Sequence, residues 1–535
     1  MFDPALFLRS ADLRGEYPRQ INEELAWFVG RYLVRYLEQH GGAHPAIVVG
    51  RDGRHSSPSV YRALVQGIAA AGGRPIPAGL ATTDMILWAA GEGLAGASAG
   101  AMVTASHNPP EYNGIKAVRR GSVGVETIRP KTHLRPIYEA DMASDAPVIA
   151  ETPSPAAFPA SARLGLATRF VEAACGRAPD RGQLTGTVVL DPGNGVGSLF
   201  IEPLKKQLPG VRIESIFEQI DGDFPNRPSN PGLPGATKTL QEEVRRLGAA
   251  FGAAFDGDAD RVFLVDEQGR FVAGDHVLAA LVRVMLAREA EKQNRGHGLG
   301  PVVFASTCSW LLPVTIRRWG GEPIICKVGQ ESIKSAMQAL GAVFGGEASA
   351  HFNFPDSYLQ DSGLIALMTL WQWLHTEKLT VSQAISQLNP WPQSGEINIR
   401  IHSDQWADIS QATIEELKKY YRRQADRCYV LDIDGICVYE PFRPDIPDVE
   451  ALFPRKPGDL ADEPFRGVHP DYEPQQWFSV RRSNNEPLLR LNAECRDPKQ
   501  LEPFTREILA DVRRICEQIG KCTTEVVDWG NLTAE

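Results

Sequence analysis

Short apolar runs alternate with helical patterns through most of this chain, and this repeat constrains the fold more than any other feature. The runs 46–49, 187–190 and 302–305 are each followed by a polar loop and then by a helix-like segment. Repetition of strand, loop and helix is typical of α/β layers with mostly parallel sheets. Such sheets place binding loops at the carboxyl ends of their strands, so the polar loops are the candidate functional segments.

Chain length and net charge limit the number of domains and the kinds of partner that we expect. The chain has 535 residues, too many for one hydrophobic core, so we expect several domains. A net charge of −10 disfavours nucleic acid and anionic membranes, because both bind clustered Lys and Arg. The most apolar later stretch, 277–287, is short and carries Arg283, which predicts an amphipathic helix and no membrane partner.

Cysteine usage and the first residues predict the compartment. The eight cysteines are scattered singly and form no C-x-x-C pair. Residues 1–14 carry early charges and no long apolar core, so we expect no cleaved signal peptide. Reduced thiols and a cytoplasmic location follow as expectations.

The loop 103–116, VTASHNPPEYNGIK, places a serine after an apolar run. Ser106 can act as a nucleophile if it is exposed and its charge is offset. An ordinary Ser/Thr-rich turn ended by proline is the alternative reading, and this loop alone leaves both open.

The loop 255–261, FDGDADR, has carboxylates at alternate positions. Asp256, Asp258 and Asp260 suit a hard divalent cation, and the competing interpretation is an EF-hand. An EF-hand needs glycine at its sixth position, where this chain has Arg261, and the apolar run that follows predicts a strand instead of a helix. We therefore expect Mg²⁺ with a phosphate completing its ligands, and a solvated acidic turn as the structural alternative.

Two later loops offer sugar and phosphate contacts. The segment 345–351, GGEASAH, combines close backbone approach at glycines with a carboxylate, a hydroxyl and an imidazole. The segment 481–490, RRSNNEPLLR, offers a guanidinium, a hydroxyl and amides to a phosphate dianion. Taken alone, the first segment also fits a plain turn and the second a solvated loop. The loops 50–57 and 9–15 supply further arginines, as phosphate or support loops.

Together these motifs, in this order, resemble the signatures of the α-D-phosphohexomutase superfamily: TASHNP (104–109), DGDxDR (256–261), GExS (346–349) and RxSNxEP (481–487). The resemblance covers nearly the whole chain. It implies an α/β fold of four domains around a central cleft, three related α/β domains and a smaller C-terminal α+β lid. The implied domains are 1–160 with the phosphoserine loop, 161–268 with the Mg²⁺ loop, 269–388 with the sugar loop, and 389–535, the lid, with an insertion near 440–476.

The resemblance also implies a mechanism. Phosphorylated Ser106 donates to the sugar, and a hexose 1,6-bisphosphate, which also serves as activator, returns its other phosphate to Ser106. The implied catalytic residues are Ser106, Lys116, His351, Arg14, His107 and Arg261. The implied Mg²⁺ ligands are Ser106, Asp256, Asp258 and Asp260. The implied substrate-binding residues are Arg9, Glu347, Ser349, Lys327, Arg481, Ser483, Asn484 and Asn485. The proton carrier stays open among Lys116, His351 and Arg14.

Within the superfamily the chain is most similar to bacterial phosphomannomutases. Ala350 and the stretches 20–27, 360–365, 394–398 and 486–497 carry this similarity. It implies mannose 6-phosphate and mannose 1-phosphate as substrates, with glucose phosphates as a second pair. Glucose and mannose differ only at C2, and these loops do not identify a residue that would contact this position.

The chain departs from the family pattern at a few positions. Ala11 stands where relatives often have Tyr, Gln330 where they have His, and Asn485 where they have Thr. The segment 440–476 is longer than the family's connection. These departures leave specificity and lid behaviour open.

Other functions remain as alternatives. A phosphoglucomutase, a phosphoglucosamine mutase, a sugar-bisphosphate synthase and a non-catalytic binding paralogue would share much of this pattern. The intact Ser106 and the intact carboxylates argue against the paralogue. The oligomeric state, monomer or dimer, is open.

Overall fold

The computed structural model describes residues 4–8, 12–143, 164–178, 180–458, 464–483 and 486–532. The chain forms two compact units. The first unit consists of Met1–Val277 and Ser349–Ala384, and the second consists of Leu278–Ala348 and Ile385–Glu535. Among the described residues, every helix is too short or too polar to cross a bilayer.

The first sheet and its helices lie in the first unit. The strand order is β1-β5-β4-β2-β3 with β6 beside β5; β4, β2 and β3 are parallel at one side of the sheet, and the other strands extend it antiparallel. The elements are β1 (Leu13–Glu16), α1 (Glu23–Gln39), β2 (Ala46–Arg51), α2 (Ser57–Ala70), β3 (Arg74–Leu80), α3 (Thr83–Glu92), β4 (Ala99–Val103), β5 (Tyr112–Arg120), β6 (Val125–Thr127) and α4 (Arg135–Met142).

Helices α1 and α2 pack closely because glycine stands at their contact. A Cβ added at Gly67 would lie 1.9 Å from the carbonyl oxygen of Trp27, and one at Gly30 would lie 2.4 Å from that of Leu64. Helix α1 begins at a polar cap, where the side chain of Asn22 accepts a hydrogen bond from Leu25 N at 3.0 Å. The buried faces of both helices form the core of this domain with the sheet.

The second sheet repeats the design of the first. Its strand order is β11-β10-β9-β7-β8, with β9, β7 and β8 parallel and β10 and β11 antiparallel at the edge. The elements are α5 (Leu166–Gly176), β7 (Gly186–Asp191), α6 (Ile201–Gln207), β8 (Val211–Ser215), α7 (Lys238–Leu247), β9 (Phe251–Phe255), β10 (Val262–Asp266) and β11 (Phe271–Val272). The predicted strand after the carboxylate loop is confirmed as β10, which agrees with the rejection of an EF-hand.

The next part of the chain is divided between the units. In the second unit β13, β12 and β14 are parallel, with β12 between the other two; in the first unit β15 pairs antiparallel with β16. The elements are α8 (Gly274–Gln293), β12 (Pro301–Ala305), α9 (Leu311–Arg318), β13 (Glu322–Cys326), α10 (Gln330–Leu340), β14 (Phe344–Gly346), β15 (Phe352–Phe354), β16 (Gln360–Asp361), α11 (Gly363–Glu377) and α12 (Val381–Leu388).

The C-terminal part of the second unit is an antiparallel sheet with two long helices. Its strand order is β18-β19-β21-β22-β17-β23. The elements are β17 (Ile397–His402), α13 (Trp406–Arg422), β18 (Tyr429–Leu431), β19 (Ile436–Glu440), α14 (Val449–Leu452), β20 (Phe465–Gly467), β21 (Gln476–Arg482), β22 (Leu488–Cys495), α15 (Pro498–Gly520) and β23 (Thr523–Asp528).

The segment 440–476, which has no clear periodicity in sequence, adds a strand to the neighbouring sheet. Its strand β20 pairs antiparallel with β13, Cys326 opposite Phe465 and Ile324 opposite Gly467. Trp310 contributes to the same junction, since its ring packs against those of Phe453 and Tyr472. The segment therefore ties the C-terminal sheet to the sheet around β12 within the second unit.

Candidate active site

Ser106 lies in the loop that follows β4, and the backbone of Ser106 itself is left-handed. Its φ is +53°, a conformation that non-glycine residues adopt at a cost and that is common at functional sites. Its backbone N–H donates to Thr104 Oγ1 at 2.8 Å. Contrary to the exposure expected of a nucleophile, only 2% of Ser106 is exposed, so the surrounding charges act on it with little screening by water.

Arg54 holds this loop in place. Its buried guanidinium donates to the backbone carbonyls of Ser106 at 2.9 Å and Asn108 at 2.6 Å, as well as to that of Pro109. Asp52 balances its charge at 3.0 Å. The sequence leaves the 50–57 loop open as a phosphate or a support loop, and this geometry favours support.

The carboxylate loop lies directly after β9, as its position after an apolar run predicts. Asp256, Asp258 and Asp260 are all buried, and their oxygens lie within 4.8 Å of one another. Within the described structure, Oδ1 of Asp258 and Oδ1 of Asp260 are buried without a hydrogen-bond partner. Buried carboxylates need a cation or donors to offset their desolvation, so this oxygen-only set fits a hard divalent ion.

Arg227 supports the carboxylate loop, and the sequence analysis missed it. Its buried guanidinium pairs with Asp191 at 2.7 Å and donates to the carbonyl of Phe255 at 2.7 Å, immediately before Asp256. It therefore supports the second loop as Arg54 supports the first. No motif marks Arg227, because its partners come from a strand 36 residues earlier and one 28 residues later.

Two cations from the predicted set lie among the carboxylates. Lys116 Nζ is 2.8 Å from Asp258 Oδ2 and 2.7 Å from Asp260 Oδ2, and Arg261 Nη2 is 2.8 Å from Asp256 Oδ2. Burial disfavours the ammonium, but the charges of Asp258 and Asp260 outweigh it and raise the pKa of Lys116. Burial, followed by the charge of Asp258, raises the pKa of Asp260.

Two imidazoles flank the serine and the carboxylates. His107 Nδ1 is 3.3 Å from the Ser106 hydroxyl, and burial together with Arg261 holds the pKa of His107 well below its ordinary value. His351 Nδ1 lies 2.6 Å from Asp361 Oδ2. Burial lowers the pKa of His351, but the hydrogen bond to Asp361 and the charges of Asp260 and Asp361 together outweigh it and raise this pKa.

Asp361 is a second residue that the sequence analysis did not assign to the site. It ends β16, ten residues after the histidine it contacts. In the sequence, residues 360–365 show only a family resemblance. A carboxylate facing an imidazole orients the ring and fixes which nitrogen carries the proton.

Arg14 also reaches the serine loop. Its Nη1 donates to Asn108 Oδ1 at 2.9 Å, and its Nη2 pairs with Asp12. The charges of Asp12, Asp258 and Asp260 outweigh burial and raise the pKa of Arg14. The first unit thus brings together six predicted catalytic residues: Ser106, Lys116, His351, Arg14, His107 and Arg261.

The predicted substrate-binding residues divide between the two units. Ser349 belongs to the first unit, where its carbonyl lies 3.5 Å from Arg261 Nη1. Lys327, Glu347, Arg481 and Ser483 belong to the second unit. Arg9, Asn484 and Asn485 lie outside the described residues, as does Ala11.

In the second unit, Glu347, Arg481 and Ser483 have defined hydrogen-bond partners. Glu347 Oε2 accepts the backbone N–H of Gly329 at 3.1 Å. Arg481 Nη2 lies 3.2 Å from Glu396 Oε2, and Ser483 is buried at the end of β21, where its N–H donates to Leu488 O at 2.9 Å.

This fold and these loops define a phosphohexomutase. Models of the phosphoglucomutase/phosphomannomutase α/β/α domains I, II and III match residues 6–135, 169–269 and 273–390. The chain belongs to this phosphoglucomutase/phosphomannomutase family, whose mutases are intramolecular phosphotransferases. The expected family and the fold of three α/β domains with a fourth sheet domain are confirmed.

Similarity extends over nearly the whole chain. A protein of Xanthomonas campestris described as phosphohexose mutases is 31% identical over 94% of this chain and 97% of its own length. A phosphomannomutase of Salmonella typhimurium is 29% identical over 94% and 98%. The crystal structure of a phosphoglucomutase/phosphomannomutase family protein from Burkholderia thailandensis gives a TM-score of 0.71 at 25% identity, covering 97% of this chain and 98% of that one.

Proposed function

We propose that this enzyme is a phosphomannomutase that interconverts mannose 6-phosphate and mannose 1-phosphate through a phosphoserine at Ser106. One observation carries the proposal. The Ser106 hydroxyl lies 3.2 Å from Asp256 Oδ2, within a buried group of three carboxylates and the cations Lys116 and Arg261. Phosphoryl transfer depends on positioning and charge neutralisation, and this group supplies both.

Magnesium is the metal that we propose for the carboxylates. Asp256, Asp258 and Asp260 would hold it together with an oxygen on Ser106, and their oxygen-only character favours Mg²⁺ over zinc. When bound, Mg²⁺ would supply charge neutralisation at the transferring phosphoryl group. The two unpartnered buried oxygens support this assignment.

The chain's own residues position the reactants and move the proton. The bond between Ser106 and phosphorus breaks as the sugar hydroxyl oxygen bonds to phosphorus, giving the hexose 1,6-bisphosphate, and the hydroxyl proton passes to a protein base. Reversal with the other phosphate restores phosphoserine, so the bisphosphate also acts as activator. Lys116, His351 and Arg14 are the candidates for this base. Asp361 orients the ring of His351.

The remaining predicted residues would bind substrate. Glu347 and Ser349 would contact the sugar hydroxyls, and the phosphate that is not reacting would be bound by Arg9, Lys327, Arg481, Ser483, Asn484 and Asn485. The domain boundaries proposed with this assignment are 1–160, 161–268, 269–388 and 389–535.

The preference for mannose rests on Ala350 and on the relatives that are phosphomannomutases. Rejection of a sugar that differs at one hydroxyl is worth about a hundredfold at most without a dedicated partner, so we expect glucose phosphates as a second pair. Coupled assays with and without the bisphosphate activator compare kcat/KM for mannose 1-phosphate and glucose 1-phosphate. A glucose preference of several hundredfold overturns the phosphomannomutase assignment.

A further inference from the structure

The turn between β18 and β19 lies against the backbone of Arg481. Gly435 has φ +72°, and a Cβ added there would lie 2.3 Å from Val480 O and 2.9 Å from Arg481 Cα. The turn therefore needs glycine for its backbone conformation and for this close approach. Asp434 is the residue before this glycine and lies two residues before β19, whose first residue, Ile436, pairs with Val480.

The same turn reaches the loop that carries Lys327. The carboxylate of Asp434 accepts a hydrogen bond from the backbone N–H of Val328. Glu347 accepts the N–H of Gly329, the next residue, at 3.1 Å. Two carboxylates thus hold one short loop, Glu347 from the sugar loop and Asp434 from the C-terminal sheet.

Asp434 lies close enough to Lys327 and Arg481 for both charges to act on its carboxylate, while Arg481 also pairs with Glu396 at 3.2 Å. Burial raises the pKa of Asp434, while the charges of Arg481 and Lys327 favour its ionised form, and Glu347 is the like charge nearby. A buried carboxylate is retained at low cost only where cations and N–H donors compensate its desolvation. Here one cation comes from each side of the junction.

Other contacts fix this junction independently of Asp434. Strand β20 pairs with β13 up to Cys326, the residue before Lys327. Two residues after Gly435, the thiol of Cys437 lies 3.8 Å from Ser306 O as donor, and Arg317 Nη1 donates to Tyr472 O at 3.4 Å. The Asp434 turn is therefore held against the Lys327 loop by packing, and removing its charge need not separate the two.

We infer that Asp434 is a positioning residue that aligns Lys327 and Arg481 for the non-reacting phosphate of the substrate. The inference rests on the proposed function. Glu396 would still hold Arg481, but without the charge of Asp434 the repulsion between Lys327 and Arg481 is less compensated, and the two side chains are less well aligned. Phosphate binding would then be weaker, because it would carry the free-energy cost of ordering the side chains of Lys327 and Arg481.

Asp434→Asn and Asp434→Ala test this inference. Asparagine retains an acceptor for Val328 N–H but lacks the charge, so both variants should raise KM for mannose 1-phosphate about tenfold with kcat within about twofold. Asp432→Asn is the matched control, because Asp432 is exposed and pairs with Lys418 and Arg422. Its KM should equal that of the wild type.

Two outcomes overturn the inference. Wild-type KM in both variants shows that Asp434 does not act on the phosphate, and wild-type KM in Asp434→Asn alone shows that Asp434 serves only as a backbone acceptor. Failure of the proposed function is distinguishable, since the wild type would then lack mutase turnover. In that case, calorimetric titration with mannose 6-phosphate tests the inference, and binding equal in wild type and Asp434→Asn overturns it.

Discussion

The hydroxyl of Ser106 donates a 3.2 Å hydrogen bond to Oδ2 of Asp256, although the two residues belong to different sheets. Ser106 follows β4 of the first sheet and Asp256 follows β9 of the second. Gly257 makes this approach feasible, because a Cβ there would lie 2.6 Å from the carbonyl oxygen of Ser106. The serine and the carboxylates therefore meet only when the two loops are in close contact.

Substitution of Gly257 by alanine should separate these loops. The added methyl group requires a shift of the Ser106 backbone, and a displacement of about 1 Å in a reacting group costs about a hundredfold in rate. We expect kcat to fall by about that factor while the free energy of unfolding drops by about 1–3 kcal/mol. Gly182→Ala is the matched control, because nothing lies within 4 Å of a Cβ there. Wild-type kcat in Gly257→Ala would contradict the role of this contact.

Ser106→Ala should lose nearly all mutase turnover and all phosphate at this position. The reason is that the proposed transfer requires a serine oxygen to carry the phosphoryl group. Intact mass and peptide mapping of the purified enzyme measure the phosphate, and coupled assays measure turnover. Phosphate found firmly on another residue of the wild type would remove Ser106 from the mechanism.

Chelation should abolish activity, and added Mg²⁺ should restore it. The three buried carboxylates lose their proposed counter-ion without the metal, so Mg²⁺ should also raise the melting temperature of the wild type by binding the folded state. In Asp258→Ala the thermal shift should shrink, because the site loses one ligand. Full activity of Asp258→Ala in chelator would exclude the metal role.

Arg481→Ala should raise KM for either monophosphate about a hundredfold, since a guanidinium contact to phosphate is worth a few kcal/mol. Phosphorylation of Ser106 should persist. Arg482→Ala is the control, because successive residues of β21 point to opposite faces and Arg482 is exposed. Steady-state kinetics with both 1-phosphates measure the effect, and equal KM values in the two variants would exclude Arg481 from phosphate binding.

Local patterns predicted the positions of the functional loops well. The apolar runs 46–49, 187–190 and 302–305 lie within β2, β7 and β12. The apolar run before Ser106 falls in β4, so Ser106 follows a strand as predicted, and Asp256 follows β9. These features depend on the spacing of apolar and polar residues over a few positions, which the sequence displays directly.

Contacts between residues distant in sequence could not be predicted without the tertiary structure. Arg227, Asp361 and Asp434 act on residues that no local period links to them, and the strand β20 pairs with β13 more than 130 residues away. The segment 440–476 illustrates the limit, because a three-residue strand at a sheet edge has too short a pattern to predict its partner.

The sequence by itself determined the α/β class, the order of the four motifs and the residue types that meet a phosphate and a hard cation. Only the tertiary structure decided that Asp361 faces His351, that Arg54 and Arg227 support the two loops, and that Lys116 lies between Asp258 and Asp260. The physical reason is that strand pairing and packing decide which charged groups lie next to each other. Burial then makes these pairings energetically decisive, because an unpaired charge in the interior is costly.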